Sequence, residues 1–125
     1  MLIVEDDPSL GRILEETLNH QGVPTQLVRT AQAAVERIRH TKPKILLLDL
    51  MLPGDSGFTV IERLRGEGLL ADTPLLVYTA LDLNLQDHER LQLGHTEFYS
   101  KATSTPQDIQ ARVSELLTPA GDHTR

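Results

Sequence analysis

The sequence predicts an α/β domain: a doubly wound, five-stranded parallel sheet with helices on both faces. Three observations predict it. Short runs of branched apolar residues alternate five times with segments of helical spacing. The run Ile45-Leu46-Leu47-Leu48 is apolar at every position, as in a strand buried on both faces. The connections are short, and short right-handed crossovers place successive strands parallel.

Leu2-Ile3-Val4 reads as the first strand, followed by Glu5-Asp6-Asp7-Pro8. Asp7 suits a helix N-cap and Pro8 the first helical position. Leu10, Ile13, Leu14 and Leu18 then recur at helical spacing up to Gly22, a C-terminal stop. Thr25 to Val28 is the second strand, and Thr30 caps a helix from Ala31 to His40 with Ala34, Val35 and Ile38 inward. Pro43 breaks that helix before the central strand. After the Pro53-Gly54 turn, Ser56 or Gly57 opens a third helix with Phe58, Val60, Ile61 and Leu64 apolar, ended by Gly66 and Gly68. Leu75-Leu76-Val77-Tyr78 is a fourth buried strand that stops at Thr79. A weak fourth helix follows, then Gly94 and a short fifth strand, Glu97-Phe98-Tyr99-Ser100, leading into Lys101. Thr105, Pro106 and Asp108 form a helix start, and Ile109, Val113, Leu116 and Leu117 give the last helix an apolar face. Residues 1–118 are expected to form one domain, and residues 119–125 a frayed, flexible tail.

A chain of 125 residues is long enough for one proper core. The absence of cysteine rules out disulfides and thiolate metal sites. No apolar run reaches transmembrane length and no signal peptide is recognisable, so a cytoplasmic protein without a membrane partner is expected. A formal net charge of −6 argues against nucleic-acid binding by electrostatics. His20, His40, His88, His95 and His123 are scattered and form no ligand pattern.

The carboxyl ends of parallel strands lie on one edge, where ligands bind in such sheets. Glu5-Asp6-Asp7, Asp49, Thr79 and Lys101 all fall there. Taken singly, each is an ordinary cap, loop charge or surface residue; together on four strand ends they make a site. Crowded carboxylates repel by about 4 kcal/mol per pair at ~4 Å and an effective dielectric near 20. A hard dication such as Mg²⁺ would offset this, and Lys101 adds a positive charge that can pair with Asp49 or with a phosphoryl group. A carboxylate nucleophile, a divalent ion, a lysine and a hydroxyl suit phosphoryl transfer onto Asp49.

With those residues in place, the chain resembles the receiver domains of two-component response regulators, the flavodoxin-like (βα)5 fold. The matching pieces are Leu2-Ile3-Val4-Glu5-Asp6-Asp7, Asp49 through Gly57, Leu76-Val77-Tyr78-Thr79-Ala80 and Phe98-Tyr99-Ser100-Lys101. The resemblance implies that Asp49 is the phosphoacceptor. It implies that Asp6, Asp49 and the backbone carbonyl of Met51 hold Mg²⁺, with Glu5 helping through water. Thr79 would bond the phosphoryl group and shift on phosphorylation, Lys101 would contact a phosphoryl oxygen, and Phe98 would be the switch aromatic. The donor would be a sensor histidine kinase or a histidine phosphotransfer protein. The fourth helix, fifth strand and fifth helix would present the switched surface to a downstream protein, an output domain or a second copy in a homodimer. Such a protein assists its own phosphorylation and dephosphorylation but is not otherwise an enzyme.

Three features depart from the family's pattern. Ala102 follows Lys101, where the family usually has a proline in a cis bond; a cis bond before alanine costs about 3–4 kcal/mol, so a trans bond and a displaced loop are expected. Leu81, Leu83 and Leu85 alternate with polar residues, and Asp87, His88 and Arg90 stand where the family more often has small or apolar residues. A late-starting or irregular fourth helix with exposed leucine is expected. Met51 and Leu81, two residues beyond Asp49 and Thr79, are apolar at positions that influence acyl-phosphate lifetime in the family, which suggests slow autodephosphorylation.

Other functions fit less well. A phosphatase with an aspartyl nucleophile usually carries a second acidic residue where this chain has Met51. A flavodoxin-like cofactor binder wants a Gly- and Ser/Thr-rich loop where this chain has Glu5-Asp6-Asp7. A phosphorylation-independent docking module is the alternative that Ala102 keeps open. No output domain is expected within these residues, so the chain is either a stand-alone regulator or a piece of a longer one.

Overall fold

The computed structural model describes residues 1–70 and 72–117. The expected flexible tail, residues 119–125, and the domain limit at 118 lie outside the described residues. The element order is β1 (Leu2–Val4), α1 (Pro8–His20), β2 (Gln26–Val28), α2 (Ala31–Thr41), β3 (Leu46–Leu48), β4 (Met51–Leu52), β5 (Asp55–Ser56), α3 (Gly57–Gly66), β6 (Leu75–Thr79), α4 (Leu85–Leu91), β7 (Thr96–Ser100) and α5 (Pro106–Leu117). Five strands form one sheet in the order β2-β1-β3-β6-β7, and every pairing in it is parallel. β4 and β5 form a separate antiparallel ribbon across the Pro53-Gly54 turn, where Gly54 takes φ +71.

Strand alternation divides the core into two layers. Leu2, Val4, Leu46, Leu48, Leu75 and Val77 pack with Ala34, Val35 and Ile38 of α2, Val60, Ile61 and Leu64 of α3, and Leu91 of α4. Ile3, Leu47, Leu76 and Tyr78 face the other way, onto Leu14 and Leu18 of α1 and Ile109 and Val113 of α5. A strand covered on both faces must be apolar at consecutive positions, which is why β3 reads as an unbroken run.

The helix starts follow local chemistry. The Asp7 carboxylate accepts from the N–H groups of Ser9 and Leu10, and Thr30 Oγ1 accepts from Ala33 N–H. Thr105 and Asp108 form a reciprocal capping box. Two apolar-face assignments are corrected: Ile13 and Leu117 are exposed, because each lies at the margin of its helix's buried stripe.

The fourth helix starts late, as expected. Asn84 caps it, with a reciprocal capping box to Asp87. The period-two leucines precede or open the helix rather than forming its face. Leu83 is half-buried against the core, Leu81 is exposed, and Leu85 is 74% exposed. No cis peptide bond occurs among the described residues, so Lys101–Ala102 is trans.

Candidate functional site

The order β2-β1-β3-β6-β7 reverses direction between β1 and β3, and the candidate site straddles that point. Val4 and Leu48 are register partners, so Glu5 and Asp49, the next residues, emerge side by side. The Asp49 N–H donates to the Val4 carbonyl at 3.0 Å and fixes this alignment. Thr79 ends β6, next to β3, and Lys101 follows Ser100, the register partner of Thr79 on β7. The Lys101 N–H donates to the Thr79 carbonyl at 2.9 Å.

Three polar side chains are buried here: Glu5 is 3% exposed, Asp49 5% and Thr79 2%. Lys101 Nζ lies 2.7 Å from Glu5 Oε1 and 2.9 Å from Asp49 Oδ2. The remaining carboxylate oxygens take backbone donors. Glu5 Oε2 accepts from Asp7 N–H at 3.0 Å, and Asp49 Oδ1 from Met51 N–H at 3.2 Å. Thr79 Oγ1 accepts from Leu81 N–H at 3.2 Å. One ammonium therefore serves two buried carboxylates. Burial raises the Glu5 carboxyl above its ordinary range, and Lys101 opposes the rise. Burial pulls the Lys101 ammonium down, but the bonds to Glu5 and Asp49 outweigh it and hold its pKa above the ordinary value.

The expected crowd of three or four carboxylates is corrected. Asp6 and Asp7 are exposed, Asp7 being committed to its helix cap, whereas Glu5 and Asp49 are buried and share Lys101. Among the described residues no group of three or more His, Asp or Glu side chains is placed to hold a metal ion. The donor set nevertheless fits a hard dication in kind: it is all oxygen, with two carboxylates meeting at one point and a third on the adjacent residue. Sequence reasoning paired Lys101 with Asp49 but missed its equally short contact to Glu5.

Sequence reasoning also missed what Gly57 does. Its N–H donates to the Leu50 carbonyl at 2.9 Å. A Cβ there would lie 2.6 Å from the Asp49 carbonyl oxygen and 2.8 Å from Leu50 Cα. The missing side chain lets α3 begin directly against the backbone that carries Asp49. Met51 and Leu81, whose N–H groups bond Asp49 and Thr79, are themselves exposed. Phe98 is half-buried, and its ring stacks on His88 with centroids 4.3 Å apart.

The structure defines an α/β protein with a doubly wound sheet and a lysine-bridged pair of buried carboxylates at its switch point. The chain belongs to the response regulator receiver domains of two-component systems: the family model described as "Response regulator receiver domain" matches residues 1–114. It is 32% identical over 117 residues to the transcriptional regulatory protein BaeR of Escherichia coli O6:H1, covering 94% of this chain and 47% of that protein. It is 34% identical over 122 residues to the sensory transduction protein RegX3 of Mycobacterium tuberculosis H37Rv, covering 98% of this chain and 52% of that one. The chain thus spans about half the length of these curated relatives. Among solved structures it resembles the BeF3-activated N-terminal receiver domain of Klebsiella pneumoniae RstA, with 30% identity, a TM-score of 0.77, and 94% and 97% of the two chains covered. No helix among the described residues is long and apolar enough to cross a membrane.

Proposed function

We propose that residues 1–118 act as a phosphoacceptor switch in which Asp49 takes a phosphoryl group from a sensor histidine kinase or a histidine phosphotransfer protein. The observation that carries this reading is the placement of Asp49: buried, beside Glu5, bridged by Lys101, and one strand from Thr79. Asp49 Oδ2 attacks phosphorus as the P–N bond of the donor phosphohistidine breaks and its imidazole leaves, and Lys101, already 2.9 Å away, pairs with a phosphoryl oxygen of the resulting acyl phosphate. The Thr79 hydroxyl gives up its bond from Leu81 N–H and donates to the phosphoryl group, drawing the β6–α4 loop inward. Asp6, Asp49 and the Met51 carbonyl would hold Mg²⁺, with Glu5 assisting through water; the ion would neutralise charge between the carboxylates and the phosphoryl oxygens. The domain thereby assists its own phosphorylation and dephosphorylation and turns over no other substrate.

Phe98 responds to the movement of Thr79, and the surface of α4, β7 and α5 carries the signal to a downstream protein, an output domain or a second copy. This is a population shift between two packings of that face. The test is intact mass after incubation with Mg²⁺ and acetyl phosphate. A gain of one phosphoryl group that disappears with EDTA and in Asp49→Ala supports the reading. A kinase-loaded histidine phosphotransfer protein that also leaves the folded parent unmodified would overturn it.

A further inference from the structure

We propose that Tyr78 and Ser100 are positioning residues that hold Lys101 over Asp49 by locking the turn that follows it. The proposal rests on the phosphoacceptor reading for its kinetic consequence, though not for its geometry. Lys101 sits at the start of the turn into α5, and its reach to Glu5 and Asp49 depends on where that backbone lies. Ser100 gathers the turn. Its Oγ accepts from Ala102 N–H at 3.1 Å, and its carbonyl accepts from Thr103 N–H at 3.2 Å and Ser104 N–H at 2.8 Å. The Ala102 donor exists only because this residue is not proline, which has no N–H.

Tyr78 ties the far end of the same turn to the sheet. Its hydroxyl donates to the Ser104 carbonyl at 2.7 Å. It stands on β6, the strand between β3 and β7, and is 3% exposed, so the anchor is part of the core. A buried tyrosine needs a partner for its hydroxyl, and here that partner is the turn itself. The Lys101 ammonium also lies 5.9 Å from the centroid of the Tyr78 ring, within cation–π range. One side chain thus contacts both the backbone after Lys101 and its charged end.

The test uses Tyr78→Phe, Ser100→Ala and Ser100→Thr in the full chain. Rates of Asp49 phosphorylation by acetyl phosphate with Mg²⁺ are measured in the parent and Lys101→Ala backgrounds. Losing one such hydrogen bond is expected to slow phosphorylation about 3- to 10-fold in Tyr78→Phe and Ser100→Ala. Ser100→Thr, which keeps the oxygen, should match the parent. Tyr78→Phe should add nothing in the Lys101→Ala background, since a residue acting through Lys101 has nothing left to position. In unphosphorylated protein, amide exchange should speed up by a similar factor at Ala102 in Ser100→Ala and at Ser104 in Tyr78→Phe. Additive slowing in the double variant, or parent-like exchange at both amides, overturns the proposal. If the parent accepts no phosphoryl group from acetyl phosphate or from a kinase-loaded histidine phosphotransfer protein, the phosphoacceptor reading fails separately, and the exchange rates alone decide whether the turn is held as stated.

Discussion

The imidazole of His88 lies on the ring of Phe98, with centroids 4.3 Å apart and planes inclined by 28°. This contact joins α4, only seven residues long, to the edge strand β7. On its other side α4 is held to α3: the Arg90 guanidinium lies 4.4 Å from the Phe58 centroid and pairs with Glu62, and Arg65 donates to the carbonyls of Arg90 and Gln92. A helix this short cannot persist on its own. His88→Ala should therefore lower stability by about 0.5–1.5 kcal/mol, the worth of one stacked ring pair beyond its buried area. Urea unfolding measures the loss. Amide exchange should rise in Leu85–Leu91 well before it rises in β3.

Glu97 anchors β7 to α5. Arg112 donates to both of its oxygens, at 2.7 and 2.5 Å, and Tyr99 O–H and His95 add further contacts. The Arg112 bonds hold the Glu97 carboxyl down at about 2, while burial and the bond to Glu97 push the Tyr99 hydroxyl up to about 12. A carboxyl depressed in the folded state leaves the unfolded chain binding more protons at acid pH. Its contribution is whole above the unfolded value of 4.5 and is lost as pH falls toward about 2. Glu97→Gln should cost about 1.5–3 kcal/mol at pH 7, the range for hydrogen bonds to a charged group. The gap between parent and variant should narrow as pH drops from 4.5 toward 2, which urea midpoints across that window would show.

The sheet and the caps of α1, α2 and α5 were legible because their signals are local. Asp7-Pro8 and Thr105-Pro106-Gln107-Asp108 state their helix starts within four residues, and β3 declares its burial by composition. The convergence of Glu5, Asp49, Thr79 and Lys101 followed from parallel topology alone. What stayed hidden depends on three-dimensional register. The Lys101–Glu5 contact needs β7 and β1 to be correctly placed on either side of β3 and β6. The Glu97–Arg112 pair needs the rotation of α5 over an edge strand. The start of α4 was obscured because the leucines suggest a strand period, while Asn84 and Asp87, the true cap, lie between and beyond them. Burial also separates the acidic run: Glu5 is buried beside Lys101 while Asp6 is exposed, a difference that three consecutive acidic residues do not announce.

Gly57 and Gly66 open and close α3 and should respond oppositely to alanine. A Cβ at Gly57 meets the Asp49 carbonyl oxygen at 2.6 Å, and the obstructing atoms include backbone that cannot swing aside. Gly57→Ala should destabilise by about 1–3 kcal/mol, as for other overpacked sites, and displace Asp49. A Cβ at Gly66 meets nothing within 4 Å, and this residue does not take a positive φ. Gly66→Ala should be neutral or stabilising by up to about 1 kcal/mol, because alanine has the higher helix propensity. Thermal unfolding of the pair separates close approach from a general intolerance of α3 to substitution.

The site's charge balance implies that it is less stable than it could be. Two buried carboxylates share one ammonium, and the Asp49 charge is one of the forces raising the Glu5 carboxyl. Removing the Asp49 charge while keeping its shape leaves Glu5 alone with Lys101, a balanced pair. Asp49→Asn should therefore raise stability by about 0.5–2 kcal/mol, the usual scale when a functional strain is relieved. It should also abolish phosphoryl acceptance. Lys101→Met should do the reverse, leaving two buried carboxylates without their cation; its loss of stability should be largest at neutral pH and shrink as acid protonates Glu5. Chemical denaturation of the two variants from pH 5 to 8 measures both effects. Equal destabilisation by both would mean that the Lys101 bridge is a structural salt link to Asp49, rather than a cation held in reserve for a phosphoryl group.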